Sequence, residues 1–176
     1  MNTANDAKQL LLSMGAELVG SRYMGFDRRD SDWDYLLLGN EMTIEQLKDF
    51  GFEITTDEEY DQYKTDIVIF CRFVDTVTSV KIEAQLAHNS ALYVIMKSAY
   101  DTLKQYTFLR YMPKRLRKLL FLYELYKLVK EQYHTIAIGD PEKEFILAGL
   151  EDKIAFNCEI SGLTIDENND NNNIGL

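Results

Sequence analysis

Two aspartates that flank a tryptophan are the residues of this sequence best suited to chemistry. Asp32 and Asp34 lie one residue apart in the strand-like segment 32–38. Because side chains alternate along a strand, both carboxylates would point to one face, with their Cα atoms about 6–7 Å apart. Paired carboxylates repel each other when both are ionised, and a divalent cation such as Mg²⁺ relieves that repulsion. The spacing therefore predicts a metal-binding pair.

A Gly-Ser pair upstream of the aspartates could hold phosphate. Ten residues separate Ser21 from Asp32. Glycine at position 20 lets the backbone approach a ligand closely. The turn supplies backbone N–H groups and a hydroxyl for a triphosphate, and neighbouring arginines could add positive charge. We predict four nucleotide-binding residues: Gly20, Ser21, Arg22 and Arg29.

A site for two metals roughly 3.5–4 Å apart needs a third carboxylate. Glu83 and Asp66 are the candidates, and the residues alone leave the choice between them open. Both lie in segments rich in β-branched residues, 65–73 and 76–86. If a two-residue turn at 74–75 joins these segments, Asp66 lies opposite Glu83 on one sheet face. A one-residue slip in register would separate the two carboxylates.

The apolar pattern predicts the elements that position these residues. In 1–87, short apolar runs alternate with turn signals, which is typical of strands and short helices joined by loops. Residues 88–165 carry apolar side chains at helical spacing. This order predicts an α+β protein, in which a short mixed sheet is followed by a compact C-terminal helical part packed on it as one unit. The acidic, Asn-rich tail 166–176 is expected to be disordered.

Turn and capping signals set the expected boundaries. The expected helices are 4–14, 43–50, 88–110, 113–133 and 141–157, and the expected strands are 16–21, 32–38, 52–55, 65–73 and 76–86. Asn5 or Asp6 is the expected cap of the first helix, and Thr43 with Gln46 is the expected capping box of the second. Along 113–133, the expected apolar face consists of Leu116, Leu119, Leu120, Tyr123 and Tyr126.

Composition excludes several classes of protein. The 176 residues correspond to about one domain, and no apolar stretch approaches the roughly 18 residues of a membrane span. The N-terminus has no basic leader with an apolar core, which favours a cytoplasmic location. Cys71 and Cys158 are therefore expected to be reduced. His88 and His134 lack the partner spacing of a zinc site.

The charge balance is acidic overall but basic in one place. The chain has 29 acidic and 19 basic residues, for a net charge of −10. That balance argues against generic coating of nucleic acid, which needs a cationic face, but it allows a local basic patch. One basic cluster could contact phosphate or an RNA acceptor beside the site, with Tyr106 and Tyr111 available for stacking. Its members are Arg110, Lys114, Arg115, Arg117 and Lys118.

The run VGSRYMGFDRRDSDWDYLLL resembles the signature of the nucleotidyltransferase superfamily with the DNA polymerase β-like fold. That signature is a hydrophobic residue, Gly, then Gly or Ser, followed about ten residues later by two acidic residues one apart in a strand. The stretch VKIEAQLA resembles the later strand that carries the third carboxylate, which maps to Glu83, with Gln85 supporting the register. The Ser-Asp-Trp-Asp-Tyr run looks like the small nucleotidyltransferase-like proteins of bacteria and phages. The resemblance covers about residues 16–87.

The resemblance implies an activity and a role for each matching residue. Asp32, Asp34 and Glu83 would bind two Mg²⁺ ions, and Glu83 would help to deprotonate the attacking hydroxyl. Gly20 and Ser21 would hold the phosphates of a nucleoside triphosphate. The implied reaction transfers a nucleoside monophosphate to a hydroxyl of RNA, protein or a small molecule and releases pyrophosphate. In this sequence, the usual third Asp is a longer Glu, and the helical part is small.

Two other hypotheses remain at this point. The chain could be a catalytically inactive binding protein with this fold, for example a phage-type inhibitor of a host enzyme, whose net charge of −10 would serve docking on a basic surface. It could also be the nucleotide-binding half of a two-protein system. Loss of the biological effect on substitution of Asp32 and Asp34 distinguishes an enzyme from a binding protein.

Overall fold

The computed structural model describes residues 2–55, 68–136 and 142–163. Within them, the chain forms the helices α1 (Ala4–Ser13), α2 (Gly20–Met24), α3 (Glu41–Phe50), α4 (Ser90–Lys104), α5 (Lys114–Ile136) and α6 (Glu142–Ile160), and a 3-10 helix, Thr107–Tyr111. The strands are β1 (Glu17–Val19), β2 (Trp33–Leu38), β3 (Glu53–Ile54), β4 (Val68–Val74) and β5 (Lys81–Ala87). The predicted α+β class and the mixed sheet are confirmed.

The five strands form one sheet in the order β1-β2-β5-β4-β3. The two central strands, β2 and β5, run parallel, while the other neighbours are antiparallel. Parallel neighbours require a crossover connection, which here is the stretch containing α3, β3 and β4. The crossover brings two segments that are about 50 residues apart in sequence, β2 and β5, into direct contact.

The two faces of the sheet pack against different helices. On one face, Tyr35 and Leu37 of β2 join a core with side chains of α1 and Leu47 of α3. On the other face, Leu36 of β2 and Ala87 of β5 join a core built by α4, α5 and α6. Both faces of β2 and β5 are buried toward the ends of these strands, at Tyr35–Leu37 and Ala84–Ala87. The C-terminal helices therefore cover the face on which Asp34 lies.

The hairpin between β4 and β5 differs from the prediction. Val74 pairs with Lys81 and Arg72 pairs with Glu83, so the connection spans 75–80 instead of two residues. The Asp75 carboxylate accepts hydrogen bonds from the backbone N–H groups of Val77 and Thr78, at 2.9 and 3.1 Å, which closes a wider turn. The predicted pairing of Asp66 with Glu83 is wrong for this reason: Arg72 takes that position, and Asp66 lies outside the described residues.

The helices form in the predicted parts of the sequence, but some of their caps and bounds differ from the prediction. Thr3 caps α1 and forms a capping box with Asp6, so neither Asn5 nor Asp6 is the cap. Helix α3 begins earlier than expected because Asn40 caps it, with Thr43 as the partner in the box. The expected helix 88–110 ends at Lys104 and continues as the 3-10 helix. The tail 166–176, which is expected to be disordered, lies outside the described residues.

The buried face of α5 is rotated from the predicted one. The fully or nearly buried side chains are Leu122, Leu125, Leu128, Val129 and Tyr133. Of the expected apolar face, Tyr123 is exposed, while Tyr126 is partly buried and donates to Glu151 at 2.8 Å. The helix carries leucines on more than one side, so spacing alone allowed several faces. Packing against α4 and α6 selects the observed one.

Candidate functional site

A row of register partners crosses the sheet and contains three charged side chains in its centre. Arg72 of β4 lies opposite Glu83 of β5, and Glu83 lies opposite Asp34 of β2. The row ends at Val19 of β1 on one side and at Glu53 of β3 on the other. Register partners project to the same face of a sheet. The structure therefore brings Asp34 and Glu83 together, as the motif predicted.

Asp34 lies in an environment that opposes its ionisation. Burial, together with the negative charges of Glu83 and Asp32, raises the pKa of Asp34 to about 7. The positive charges of Lys114 and Arg22 act in the opposite direction. The three predicted carboxylates are thus close enough to affect one another. A carboxylate in such surroundings is stabilised in its charged form by a cation.

Gly20 lies directly against the Asp34 carboxylate. Its backbone adopts a positive φ of 69°, and a Cβ atom placed there would lie 2.1 Å from Asp34 Oδ2. Any side chain would overlap the carboxylate, and an L-residue is also strained at this φ. The sequence places glycine where the chain passes from β1 into α2 beside the predicted metal ligand. Ser21 is the second residue of α2, and its carbonyl accepts the Phe26 N–H at 2.8 Å.

The Arg22 side chain holds the loop that leads to Asp32. Its guanidinium donates to the carbonyls of Ser31, at 2.6 Å, and Asp32, at 3.2 Å. It also pairs with Asp27 at 3.1 Å and lies over the Trp33 ring, 4.4 Å from its centre. In this arrangement Arg22 positions the loop, and most of its donors are used. Arg29 lies exposed in the same loop.

Glu83 forms an ion pair that the sequence did not suggest. Its Oε2 atom lies 2.9 Å from Nη2 of Arg72, the residue opposite it on β4. In the described part of the chain, no group of three or more His, Cys, Asp or Glu side chains is arranged to hold a metal ion. The donor chemistry of Asp32 and Asp34 fits a hard divalent cation. If Glu83 joined them, Arg72 would compete with the cation for its carboxylate.

A buried polar pair lies next to the carboxylates on the side of the helices. The Tyr100 hydroxyl of α4 donates to Oε1 of Gln85 at 2.9 Å. The Tyr100 ring stacks on Phe121 of α5, with centres 4.4 Å apart. Burial and the neighbouring charge of Asp34 raise the pKa of Tyr100. Because Gln85 and Tyr100 satisfy each other, this end of the site is closed by neutral groups.

The predicted basic cluster borders the site, but its members have different roles. Lys114 lies at the start of α5 and close enough to Asp34 to lower its pKa. Arg110 and Arg117 instead donate to the carbonyls of Gly25 and Phe26, at 3.0 and 3.2 Å, and so tie the loop after α2 to the helical part. The remaining two are exposed: Arg115, which donates to the Ile160 carbonyl at 3.4 Å, and Lys118.

The residues that sequence reasoning missed are Arg72 and Tyr100. Arg72 could not be identified from the sequence, because the assumed two-residue hairpin placed Asp66 opposite Glu83. The actual turn is wider and is organised by the Asp75 carboxylate. It shifts the register by six positions from the predicted one. Tyr100 gives no local signal, since its relation to Gln85 depends on how α4 crosses the sheet.

The remaining polar and sulfur candidates have ordinary surroundings. Cys71 and Cys158 are buried, free thiols, and burial raises the pKa of Cys71 to about 11. His88 contacts Glu142 and Asn89. A buried thiol of this kind acts as a small apolar core residue. No helix of the described ranges has the length and apolar character needed to cross a bilayer.

The chain matches no family model and no curated protein. Among solved structures, it is similar to the polymerase core of TRAMP, an RNA surveillance complex, with a TM-score of 0.32 and 11% sequence identity. The alignment covers 94% of this chain and 61% of that one, so this chain spans about three-fifths of that structure's length. A similarity of this size carries no argument about function, which has to rest on the site itself.

Proposed function

We propose that this chain is a Mg²⁺-dependent nucleotidyltransferase, which transfers a nucleoside monophosphate from a triphosphate to a hydroxyl acceptor and releases pyrophosphate. The observation that carries the proposal is the placement of Asp34, beside Glu83 on one side and against Gly20 on the other. A carboxylate with a pKa raised to about 7 is costly to retain unless a cation uses it. The Gly-Ser turn lies where it could lead phosphates to that cation.

The residues of this chain would divide the work between holding the nucleotide and accepting a proton. Asp32 and Asp34 would hold Mg²⁺, which supplies neutralisation of the phosphate charge. The N–H groups at Gly20 and Ser21 would bind phosphate oxygens. The acceptor oxygen would form a bond to the α-phosphorus as the bond from phosphorus to the pyrophosphate oxygen breaks. The proton of the acceptor hydroxyl would pass to Glu83.

Arg72 bears on how many ions the site takes. The resemblance implies two Mg²⁺ ions, with Glu83 as a ligand of the second. Since Glu83 Oε2 is 2.9 Å from Arg72, a second ion would compete with the guanidinium for this carboxylate. A cytoplasmic location, where ATP and Mg²⁺ are both plentiful, is part of this proposal.

A second candidate function is nucleotide-independent binding of another protein. It is favoured by the ion pair of Glu83 with Arg72, which occupies the third carboxylate, and by the net charge of −10. In this case the chain would act as an inhibitor of an enzyme with a basic surface, or as one half of a two-protein system. Substitution of Asp32 and Asp34 would then leave its effect unchanged.

The test is thermal unfolding with each of the four nucleoside triphosphates, with and without Mg²⁺. A nucleotide at 100 times its Kd stabilises the folded state by about 2.7 kcal/mol, which raises the Tm by several degrees. The double variant Asp32→Asn/Asp34→Asn should lose this shift. The matched control Asp49→Asn/Asp152→Asn makes the same charge change on exposed helix positions and should keep it.

The second measurement is nucleotidyl transfer, which releases pyrophosphate. With labelled triphosphate and a mixture of RNA, protein and small hydroxyl acceptors, the native chain should transfer the label, and Asp34→Asn should reduce the rate by at least about 100-fold. A Tm shift without Mg²⁺, or one that survives in the double variant, contradicts the metal–triphosphate site. The absence of any shift with all four nucleotides favours the binding protein.

A further inference from the structure

The segment 104–118 differs in charge from the rest of the molecule. It contains six basic residues and no acidic residue, whereas the remaining sequence has 13 basic and 29 acidic residues. The segment therefore carries a formal charge of +6 in a chain whose remainder carries −16. It runs from the end of α4 through the 3-10 helix into the first turn of α5. No helix-capping need explains this charge, because cations at the start of α5 oppose the helix dipole.

Aromatic side chains in this segment are exposed instead of packed. Tyr111 is 84% exposed, Phe108 57% and Tyr106 47%. The rings of Tyr106 and Phe108 lie 5.8 Å apart. Leu109 alone of the 3-10 helix is buried, so it anchors the segment while the rings face outward. Large rings exposed among cations are typical of surfaces that stack on nucleic acid bases.

The segment is held in place beside the carboxylate site. Arg110 and Arg117 donate to the backbone carbonyls of Gly25 and Phe26 at 3.0 and 3.2 Å. Those carbonyls belong to the loop that joins α2 to Asp32. Lys114 is near enough to Asp34 to affect its pKa. The segment that carries the rings is thus fixed to the loop that leads to the carboxylates, and one of its lysines lies near Asp34.

We propose that the exposed rings and cations of 104–118, the basic–aromatic surface, bind a single-stranded polynucleotide and present its terminal hydroxyl to the carboxylate site. Phosphates would pair with cations such as Arg115 and Lys118, and bases would stack on Phe108 and Tyr111. This inference rests on the proposed function and names its acceptor. The net charge of −10 does not oppose it, because binding depends on the local positive patch. A duplex hides its base faces, so the rings favour a single strand.

The test is the binding of end-labelled 12-nucleotide single strands, followed by fluorescence anisotropy in EDTA without nucleotide. These conditions keep the measurement independent of the metal and the nucleotide, so binding is expected even if nucleotidyl transfer proves wrong. Phe108→Ala/Tyr111→Ala should weaken binding by at least about tenfold, because each stacked base contributes substantially. The matched control Phe145→Ala removes an exposed ring from α6 and should bind like the native chain.

The cations are tested by salt dependence. Arg115→Gln/Lys118→Gln should reduce the slope of log Kd against log salt by about 1–2, since each phosphate contact contributes roughly 0.7 for a single strand. Lys48→Gln/Lys127→Gln changes the same charge elsewhere and should leave the slope unchanged. Ribose and deoxyribose strands distinguish an RNA acceptor from a DNA acceptor, and either one supports the surface.

Three results would overturn the proposal. The first is equal affinity of the native chain and Phe108→Ala/Tyr111→Ala. The second is binding of duplex as tightly as single strands. The third is binding of polyglutamate as tightly as oligonucleotides, which would identify an acidic protein as the partner of this surface. Circular dichroism and Tm of every variant check that these exposed substitutions leave the fold intact.

Discussion

Two aspartates of the same sheet have opposite surroundings. Asp75, at the turn between β4 and β5, is surrounded by donors: its carboxylate accepts the N–H groups of Ala4, Val77 and Thr78 at 2.8–3.1 Å. These hydrogen bonds, with Ala4 the largest contributor, lower the pKa of Asp75 to about 2. Asp34, at the centre of the sheet, faces the carboxylates of Glu83 and Asp32, and its pKa is raised to about 7.

The difference in surroundings implies a difference in role: the Asp75 carboxylate stabilises the fold, whereas the Asp34 carboxylate does not. Asp75 joins the first turn of α1 to the β4–β5 turn, and its charge satisfies backbone groups that would otherwise lack partners. Asp34 satisfies no such need in the described structure, and its burial costs free energy. A group that costs stability and lies beside a glycine with positive φ is a candidate for function. The following predictions test this contrast.

The largest effect on stability is expected for Gly20→Ala. The new methyl group would lie 2.1 Å from Asp34 Oδ2 and would require a strained φ of 69°. Left-handed strain of roughly 1–2 kcal/mol and overpacking of roughly 1–3 kcal/mol together predict a loss of about 2–5 kcal/mol. Urea unfolding measures it.

Gly25→Ala is the matched control for this prediction. Gly25 also has a positive φ, 74°, but an added Cβ would meet no atom within 4 Å. It should cost only the strain. If both variants lose the same stability, the close contact between Gly20 and Asp34 is not present in the protein.

Neutral substitutions of the two aspartates should change stability in opposite directions. Asp34→Asn removes a charge that repels its neighbours, so at pH 8 the free energy of unfolding should rise by on the order of 1–3 kcal/mol. Asp75→Ala leaves three N–H groups without their acceptor and should lower the Tm by several degrees. Calorimetry of both variants checks this. Destabilisation by Asp34→Asn would mean that its carboxylate supports the fold, as that of Asp75 does.

The accuracy of each sequence prediction depends on whether the feature is set by neighbouring residues or by residues distant in the chain. The α+β order and the mixed sheet could be predicted. The adjacency of Asp34 and Glu83 was implied only by the family resemblance, because it depends on the pairing of two strands that are distant in sequence. The start of α1 was predicted correctly but its cap was not, and α3 begins two residues earlier than predicted, since several residues near each start could cap it. The buried face of α5 could not be predicted, because it depends on α4 and α6.

The hairpin shows why the remainder of the site was out of reach. Val74-Asp75 looked like a two-residue turn, but the Asp75 carboxylate organises a wider one whose partner, Ala4, lies 71 residues away. The six-position shift that follows puts Arg72 opposite Glu83. This wider turn therefore places Arg72, and not an acid, opposite the third carboxylate. Its contact with Ala4 cannot be read from local patterns.

The two aspartates should also leave separate marks on the pH dependence of stability. The folded-state pKa of Asp34 lies above its ordinary value of 3.8, at about 7. The native state therefore binds more protons than the unfolded state between these values, and stability falls as pH rises from about 4 to 7. The slope from this one group is at most about 1.4 kcal/mol per pH unit. Asp34→Asn should remove that slope.

Asp75 acts in the opposite sense and at lower pH. Its folded-state pKa is lowered from 3.8 to about 2, so its contribution is complete above the unfolded value and is lost as pH falls through about 2. Asp75→Ala should flatten this acid limb and leave the pH 4–7 region unchanged. Urea unfolding at pH intervals of one unit measures both limbs. An identical pH 4–7 slope in the native chain and Asp34→Asn would contradict the surroundings described for Asp34.

The smallest effect on stability is expected for Arg72→Gln, which tests whether the row can pass from an internal ion pair to a bound metal. The side chain of Arg72 is partly exposed, so its pair with Glu83 should contribute no more than about 1 kcal/mol to folding. Without the guanidinium, the three carboxylates should attract Mn²⁺, a spectroscopic substitute for Mg²⁺, on the order of tenfold more tightly. Electron paramagnetic resonance titration measures the affinity and stoichiometry of Mn²⁺ binding.

The control variant Lys48→Gln, on the opposite face of the sheet, should change neither the affinity nor the stoichiometry. An unchanged Mn²⁺ affinity in Arg72→Gln would show that Arg72 and the cation do not compete for Glu83, and the contrast between the two aspartates would then rest on Asp32 and Asp34 alone.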